Sequence, residues 1–129
     1  MTIRVIQWAT GGVGRAAIAG VQAHPELELV GCWVHSDAKA GLDVGEICGT
    51  GPIGVTATTD ADELLALGAD CVVYSPVMAD PEVVVRILAS GANVVTPLNW
   101  FFPGDRDESR VEAACAEGGS TLHGTGIHP

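Results

Sequence analysis

A chain of 129 residues, 47% hydrophobic with a mean hydropathy of +0.32, is long enough for one well-buried domain. Its net charge of −10, with only 6 Lys plus Arg, argues against nucleic acid and against an anionic membrane surface, both of which need a basic face. No run approaches the roughly 18 apolar residues of a membrane span, so the expected partners are small molecules, including phosphate-bearing ones held by backbone N–H groups.

The N-terminus, MTIRVIQW, leads directly into a predicted strand with Ile3, Val5 and Ile6 as its β-formers, so no signal peptide is expected. Ala9-Thr10-Gly11-Gly12-Val13-Gly14 follows at once. Aligned on the dinucleotide fingerprint G-x-G-x-x-G, Gly11 takes the second glycine slot and Gly14 the third. The second leaves room for a pyrophosphate to approach the backbone, and the third lets helix and strand pack closely. The helix that starts there offers unpaired N–H groups and a positive dipole end. Ala9 stands in the first slot, which is tolerable if its φ is negative. A purely structural turn is the competing reading of so short a string. A Walker loop is excluded, because Arg15 is followed by Ala16 and Ala17 rather than by a Lys-Ser/Thr pair.

Val13, Ala17 and Val21, with Ile18 beside them, predict a short helix facing a sheet, in which Gly20 permits close packing; His24-Pro25 ends it. Leu27 to His35 is the second strand. An acidic residue about 20 positions past the glycines would bind the ribose 2′-OH of NAD, but that count falls on Val34, His35 and Ser36, and Asp37 follows beside Lys39. The expected cofactor is therefore NADP, with NAD use left open, and Ser36, Lys39 and Arg15 are candidates for a 2′-phosphate. The alternative is that Ser36-Asp37 begins a turn and Lys39 is solvated. His35 is expected near the adenine rather than on a metal.

Ala40 to Gly54, with five glycines, reads as a long irregular connection. Val55 to Ala57 is a short third strand. Asp60 caps a helix over Ala61 to Leu67, with Glu63 as its capping-box partner. Asp70 to Ser75 is a central strand, stopped by Pro76. Asp80-Pro81 opens a helix with Val84, Ile87 and Leu88 as its apolar face and Gly91 as its stop. Asn93 to Thr96 is the next strand, Leu98 to Gly104 an aromatic loop, Asp105 to Glu117 a charged helix with Val111, Ala114 and Cys115 turned inward, and Thr121 to Thr125 the last strand.

Cys32, Cys48, Cys71 and Cys115 form no C-x-x-C pair. Cys32 and Cys71 lie in predicted strands as small hydrophobes, a pattern that suits a reducing cytoplasm. His123 and His128 alternate to different faces of a strand, so no metal site is expected. Ser75 has no G-x-S-x-G elbow and no His/Asp partner, which makes a hydrolase triad a poor fit.

Strands alternating with helices predict an α/β, Rossmann-type doubly wound parallel sheet of order 3-2-1-4-5-6. Ligand is then expected at the carboxyl ends of strands one and four, where the order reverses.

Taken together, IRVIQWATGGVGR, the strand end WVHS with Lys39 after it, DCVVYSP, NVVTPLNWFFP and the terminal GTGIHP resemble the N-terminal half of dihydrodipicolinate reductase-like proteins. The branch is the one with 2,4-diaminopentanoate dehydrogenase and native amine dehydrogenases, and the resemblance covers essentially the whole chain. It implies an NAD(P)-dependent oxidoreductase acting on a C=N or C–N bond. By position, the resemblance puts Thr10, Gly11, Gly12 and Val13 at the pyrophosphate, His35, Ser36 and Lys39 at the adenosine end, and Ser75, Pro76, Thr96 and Pro97 on the nicotinamide ribose side.

Amine dehydrogenases of this type carry a glutamate in the loop after the fifth strand; here Thr96 to Trp100 holds none, and Asn99 cannot pair with ammonium as a carboxylate does. The family's second domain begins just after a GTG turn, which is where this sequence stops. The expectation is thus a single dinucleotide-binding domain, 1–129, that binds a nicotinamide dinucleotide but needs a second domain for substrate and turnover. A homo-oligomer stays open. The rival readings are a non-catalytic nucleotide-sensing or interaction domain and a degenerate fragment that folds poorly.

Overall fold

A computed structural model describes residues 2–76, 80–96 and 105–124. The expectations for Pro97, for the loop at 98–104 with Asn99 and its aromatic residues, and for the terminal 125–129 with His128 lie outside the described residues. The chain runs β1 (Ile3–Trp8), α1 (Gly12–Ala23), β2 (Leu27–Trp33), α2 (Val44–Cys48), β3 (Ala57–Thr58), α3 (Ala61–Leu65), β4 (Cys71–Tyr74), α4 (Pro81–Ala89), β5 (Asn93–Thr96), α5 (Asp105–Gly118) and β6 (Leu122–Gly124). The strands form one sheet of order β3-β2-β1-β4-β5-β6, with every strand pair parallel. This is the Rossmann-type order expected.

β1 is covered on both faces, and its side chains divide between two apolar layers. Ile6 and Trp8 join Val72, Tyr74 and Val94 beneath α4 and α5. Val5 joins Leu29, Cys32 and Val34 beneath Ile18 and Val21 of α1. The strand's alternation produces this division. Only its entry departs from expectation: Ile3 is 42% exposed, at the rim.

α1 buries Gly14, Ile18 and Val21, one face at helical spacing. Val13, expected on that face, is 58% exposed; in this first turn it is Gly14 that faces the end of β1. Gly20 is not a packing glycine: it is exposed, and a Cβ there would meet nothing within 4 Å. Close approach occurs elsewhere. A Cβ on Gly118 would lie 2.0 Å from the Leu88 carbonyl oxygen, where the end of α5 is set against α4, and Ser120 Oγ donates to that same oxygen at 2.6 Å.

The caps follow the sequence. Asp80 accepts from the Glu82 N–H at 3.0 Å with Pro81 in the first turn, and Gly91 takes a φ of 102° after α4 ends. Asp60 accepts from the Glu63 N–H at 3.2 Å. The second arm of the expected capping box is not made: the Asp60 N–H goes to Thr58 Oγ1 at 3.0 Å, and the Thr58 hydroxyl in turn faces Glu63.

The segment read as irregular, Ala40 to Gly54, contains α2. Asp43 caps it, accepting from Gly45 N–H at 2.7 Å, and also accepts from the N–H groups of Ile53 and Gly54, each at 2.8 Å. One carboxylate therefore closes both ends of the excursion. Donation from Ile53, then from Gly54, holds its pKa below the usual 3.8. Gly45 fits because any Cβ there would meet the Gly51 carbonyl oxygen at 1.7 Å.

Candidate functional site

A cavity of about 710 Å³ opens at the carboxyl ends of β1, β2 and β4, the point where strand order reverses. That volume is in the range of small-molecule sites. The expected residues Thr10, Gly11, His35, Ser36, Lys39, Ser75 and Pro76 all line it. Gly12 and Val13 stand beside it in the first turn of α1. Thr96 is fully buried at the end of β5 and is not part of the lining.

The glycine turn is built for close approach. Gly11 precedes α1 in extended backbone without a side-chain cap, and a Cβ on Gly11 or Gly12 would meet nothing within 4 Å. Among the described residues, no hydrogen bond takes the N–H groups of Gly11, Gly12 or Val13, so the positive end of α1 is bare. Gly14 behaves oppositely: a Cβ there would lie 2.2 Å from the Ala9 carbonyl oxygen. This is the contact expected of the third glycine.

Ala9 departs from expectation. Its φ is +86°, the left-handed region, rather than negative. Such a conformation costs an alanine about 1–2 kcal/mol. Three bonds impose it. The Ala9 N–H is held by the Trp33 carbonyl at 2.8 Å, the Ala9 carbonyl accepts from Gln7 Nε2 at 3.0 Å, and Ser75 N–H fixes the preceding Trp8 carbonyl at 3.1 Å.

The charge distribution around this turn is selective. Arg4 donates to the Leu67 carbonyl at 2.8 Å, Arg86 pairs with Asp62, and Arg110 pairs with Glu82. Arg15 and Lys39 instead converge on Thr10: Arg15 Nε donates to its carbonyl at 3.2 Å and Lys39 Nζ to its Oγ1 at 3.0 Å. Ser36 does open a turn, with its Oγ accepting from Ala38 N–H at 3.1 Å and its carbonyl from Lys39 N–H at 3.1 Å. That turn carries Lys39 back to the cavity instead of leaving it solvated. The turn of the alternative reading is thus present, and the solvated Lys39 that went with it is not.

Several lining residues escaped the sequence reading. Trp8 and Trp33 are register partners on β1 and β2, and their rings stack at 5.4 Å and 9°. His35 lies tilted against Trp33 at 6.0 Å. The rings give the cavity a flat aromatic wall, which neither strand displays alone. Tyr74, the register partner of Trp8 on β4, also lines the cavity: its hydroxyl accepts from Asp80 N–H at 2.8 Å and fixes the start of α4 beside it. Burial pushes the phenol's pKa up, so it stays neutral and can keep that hydroxyl. Cys32, fully buried below the turn, has its thiol pushed up to about 12 by burial first and by Cys48 second, and is inert packing rather than a nucleophile. Cys71, half-buried, is also raised by burial.

No helix among the described residues is long and apolar enough to cross a membrane. Residues 3–96 match the family described as dihydrodipicolinate reductase, N-terminus. The chain is 38% identical, over 98% of its length, to an amine dehydrogenase of Streptomyces virginiae, of which it covers 38%. A 4-hydroxy-tetrahydrodipicolinate reductase of Synechococcus elongatus is 38% identical over 50% of this chain and 24% of that relative. The solved amine dehydrogenase from Mycobacterium smegmatis superposes with a TM-score of 0.83 at 28% identity, over 97% of this chain and 39% of that one. The chain thus spans well under half the length of the relatives it matches.

Proposed function

The chain belongs to the family described as dihydrodipicolinate reductase, N-terminus, and from that membership we propose that it is the dinucleotide-binding part of an NAD(P)-dependent oxidoreductase, with NADP preferred and NAD accepted. One observation carries this reading: the bare N-terminus of α1 meets a cavity lined by Lys39, whose Nζ donates to Thr10 Oγ1, while Arg15 Nε holds the Thr10 carbonyl from α1. A diphosphate suits unpaired backbone N–H groups, and a 2′-phosphate suits paired cations.

The residues present fit such a cofactor, because the space a Cβ would fill at Gly11 and Gly12 is open. Thr10, Gly11, Gly12 and Val13 would take the diphosphate. Lys39, Ser36 and Arg15 would take the 2′-phosphate, and Trp33 with His35 would flank the adenine. Ser75 and Pro76 would face the nicotinamide ribose. The cofactor, when bound, supplies a hydride at C4 of the nicotinamide; the chain's own part is to bind, orient and exclude water.

The whole protein's reaction is proposed as reduction of a C=N bond or oxidation of a C–N bond on a small molecule held with a second domain. The run 97–104 has no carboxylate, which weighs against an amine substrate held as an ammonium. It also keeps a non-catalytic nucleotide-sensing role as the second reading, distinguished by binding without turnover when that second domain is supplied.

The test is titration of NADPH and NADH into the protein, followed by tryptophan fluorescence, which the Trp8–Trp33 stack beside the cavity should report. Saturable binding of both is expected, tighter for NADPH. Lys39→Ala should weaken NADPH at least tenfold and NADH less than threefold. Equal losses would refute the 2′-phosphate assignment, and no binding of either would refute the nucleotide reading.

A further inference from the structure

We infer that Gln7 is a positioning residue for the diphosphate: its buried amide holds the Ala9 carbonyl inward and so turns the Thr10 N–H outward into the cavity. The inference rests on the nucleotide reading above and adds a residue that touches no ligand.

Gln7 is fully buried in β1, the central strand, between two apolar layers. A glutamine there has to be explained, since an apolar side chain would fill the space without a polar burden. Its Nε2 donates to the Ala9 carbonyl at 3.0 Å and to Ser75 Oγ at 2.8 Å. Its Oε1 has no partner among the described residues. The amide is therefore present for its donors. Its orientation is fixed by the Ala9 carbonyl, which can only accept.

The consequence follows from peptide geometry. In a trans peptide the carbonyl and the following N–H point in opposite directions. The Ala9 oxygen points down against Gly14, 2.2 Å from where a Cβ would sit, and onto Gln7. The N–H of Thr10 then points away from the core, to the side where Thr10 and Gly11 line the cavity. This orientation requires the positive φ that Ala9 has and that alanine resists. In fingerprints with glycine at this slot the backbone takes the conformation unaided. Here Gln7 supplies what the side chain of Ala9 withholds. Its second bond ties the same lock to Ser75 at the end of β4, so the two rims of the cavity are set by one amide.

A role of this kind predicts coupling between positions 7 and 9. NADPH is titrated by tryptophan fluorescence into the unsubstituted protein, Gln7→Met, Ala9→Gly and the double variant, with folding checked by circular dichroism. Gln7→Met should weaken NADPH at least tenfold where residue 9 is alanine and less than threefold where it is glycine. Gln7→Leu, which also lacks the donor, should behave alike and replaces the methionine variant if that one does not fold. Equal loss in both backgrounds would mean that Gln7 only fills space, and no loss in either that the turn needs no lock; each overturns the inference while leaving the nucleotide reading intact. Failure of the unsubstituted protein to bind NADPH overturns that reading and the inference with it.

Discussion

Ala9 carries a methyl group into backbone territory that L residues avoid, and it does so at the most sensitive turn of the chain. Glycine would remove a strain of about 1–2 kcal/mol there, offset by about 0.4–1 kcal/mol from the looser unfolded chain. Ala9→Gly should therefore stabilise the fold by about 0.5–1 kcal/mol, read as a higher urea midpoint at unchanged slope. A lower midpoint would show that the turn is not strained. Asp43 sets a different dependence. Its carboxyl titrates below 3.8 when folded, held there by N–H groups of Ile53, Gly54 and Gly45. The unfolded chain takes up that proton more readily, so the stabilisation is complete above the unfolded pKa and is lost as pH falls through the folded one. The stability gap between the protein and Asp43→Asn should be constant from pH 7 to about 5 and shrink below about 4; a gap independent of pH would show that the carboxylate charge contributes nothing.

At the scale of elements, α1 has two glycines with opposite roles. Gly14 is enclosed by the Ala9 carbonyl, whereas Gly20 is exposed with open space where its Cβ would be. Gly20→Ala should raise stability by about 0.5–1 kcal/mol through backbone entropy alone, without altering nucleotide affinity. A loss of stability would show that the helix is packed there by something outside the described residues. The caps at Asp60 and Asp80 were legible because donor and acceptor sit two or three residues apart. The helix α2 was not. It is five residues long, too short to show a periodic face, and its Asp43 cap at Gly45 is reinforced by Ile53 and Gly54, which the chain brings back only after a glycine-rich excursion.

For the whole molecule, the surface and the site obey different electrostatics. A chain of net charge −10 repels anions at long range, yet its cavity is lined by Lys39 beside a bare helix end, with Arg15 bonded to the same Thr10. The dinucleotide is anionic, so attraction has to be local. This is why the loss expected for Lys39→Ala is large for one phosphate group and small for the rest of the ligand. It is also why a bulk charge that argues against nucleic acid leaves room for a phosphate-bearing cofactor. The chain belongs to the family described as dihydrodipicolinate reductase, N-terminus, and covers 38% of its amine dehydrogenase relative.

By itself the sequence determined the alternation of strands and helices apart from α2, the sheet order and the place of the cavity. Periodicity, caps and glycine spacing act among neighbours in the chain, and right-handed crossovers leave little choice in how such units stack. Gly11, Gly14 and Lys39 were legible for the same reason. What tertiary structure decided lies between residues far apart in sequence: Gln7 with Ser75, Lys39 with Thr10, Trp8 with Trp33, and Tyr74 against the backbone of Asp80. Those contacts depend on strand register and on which face each side chain takes. The sign of φ at Ala9 depends on them too, since a single dihedral follows from where its carbonyl finds a donor, and that donor is a buried glutamine no local pattern marks.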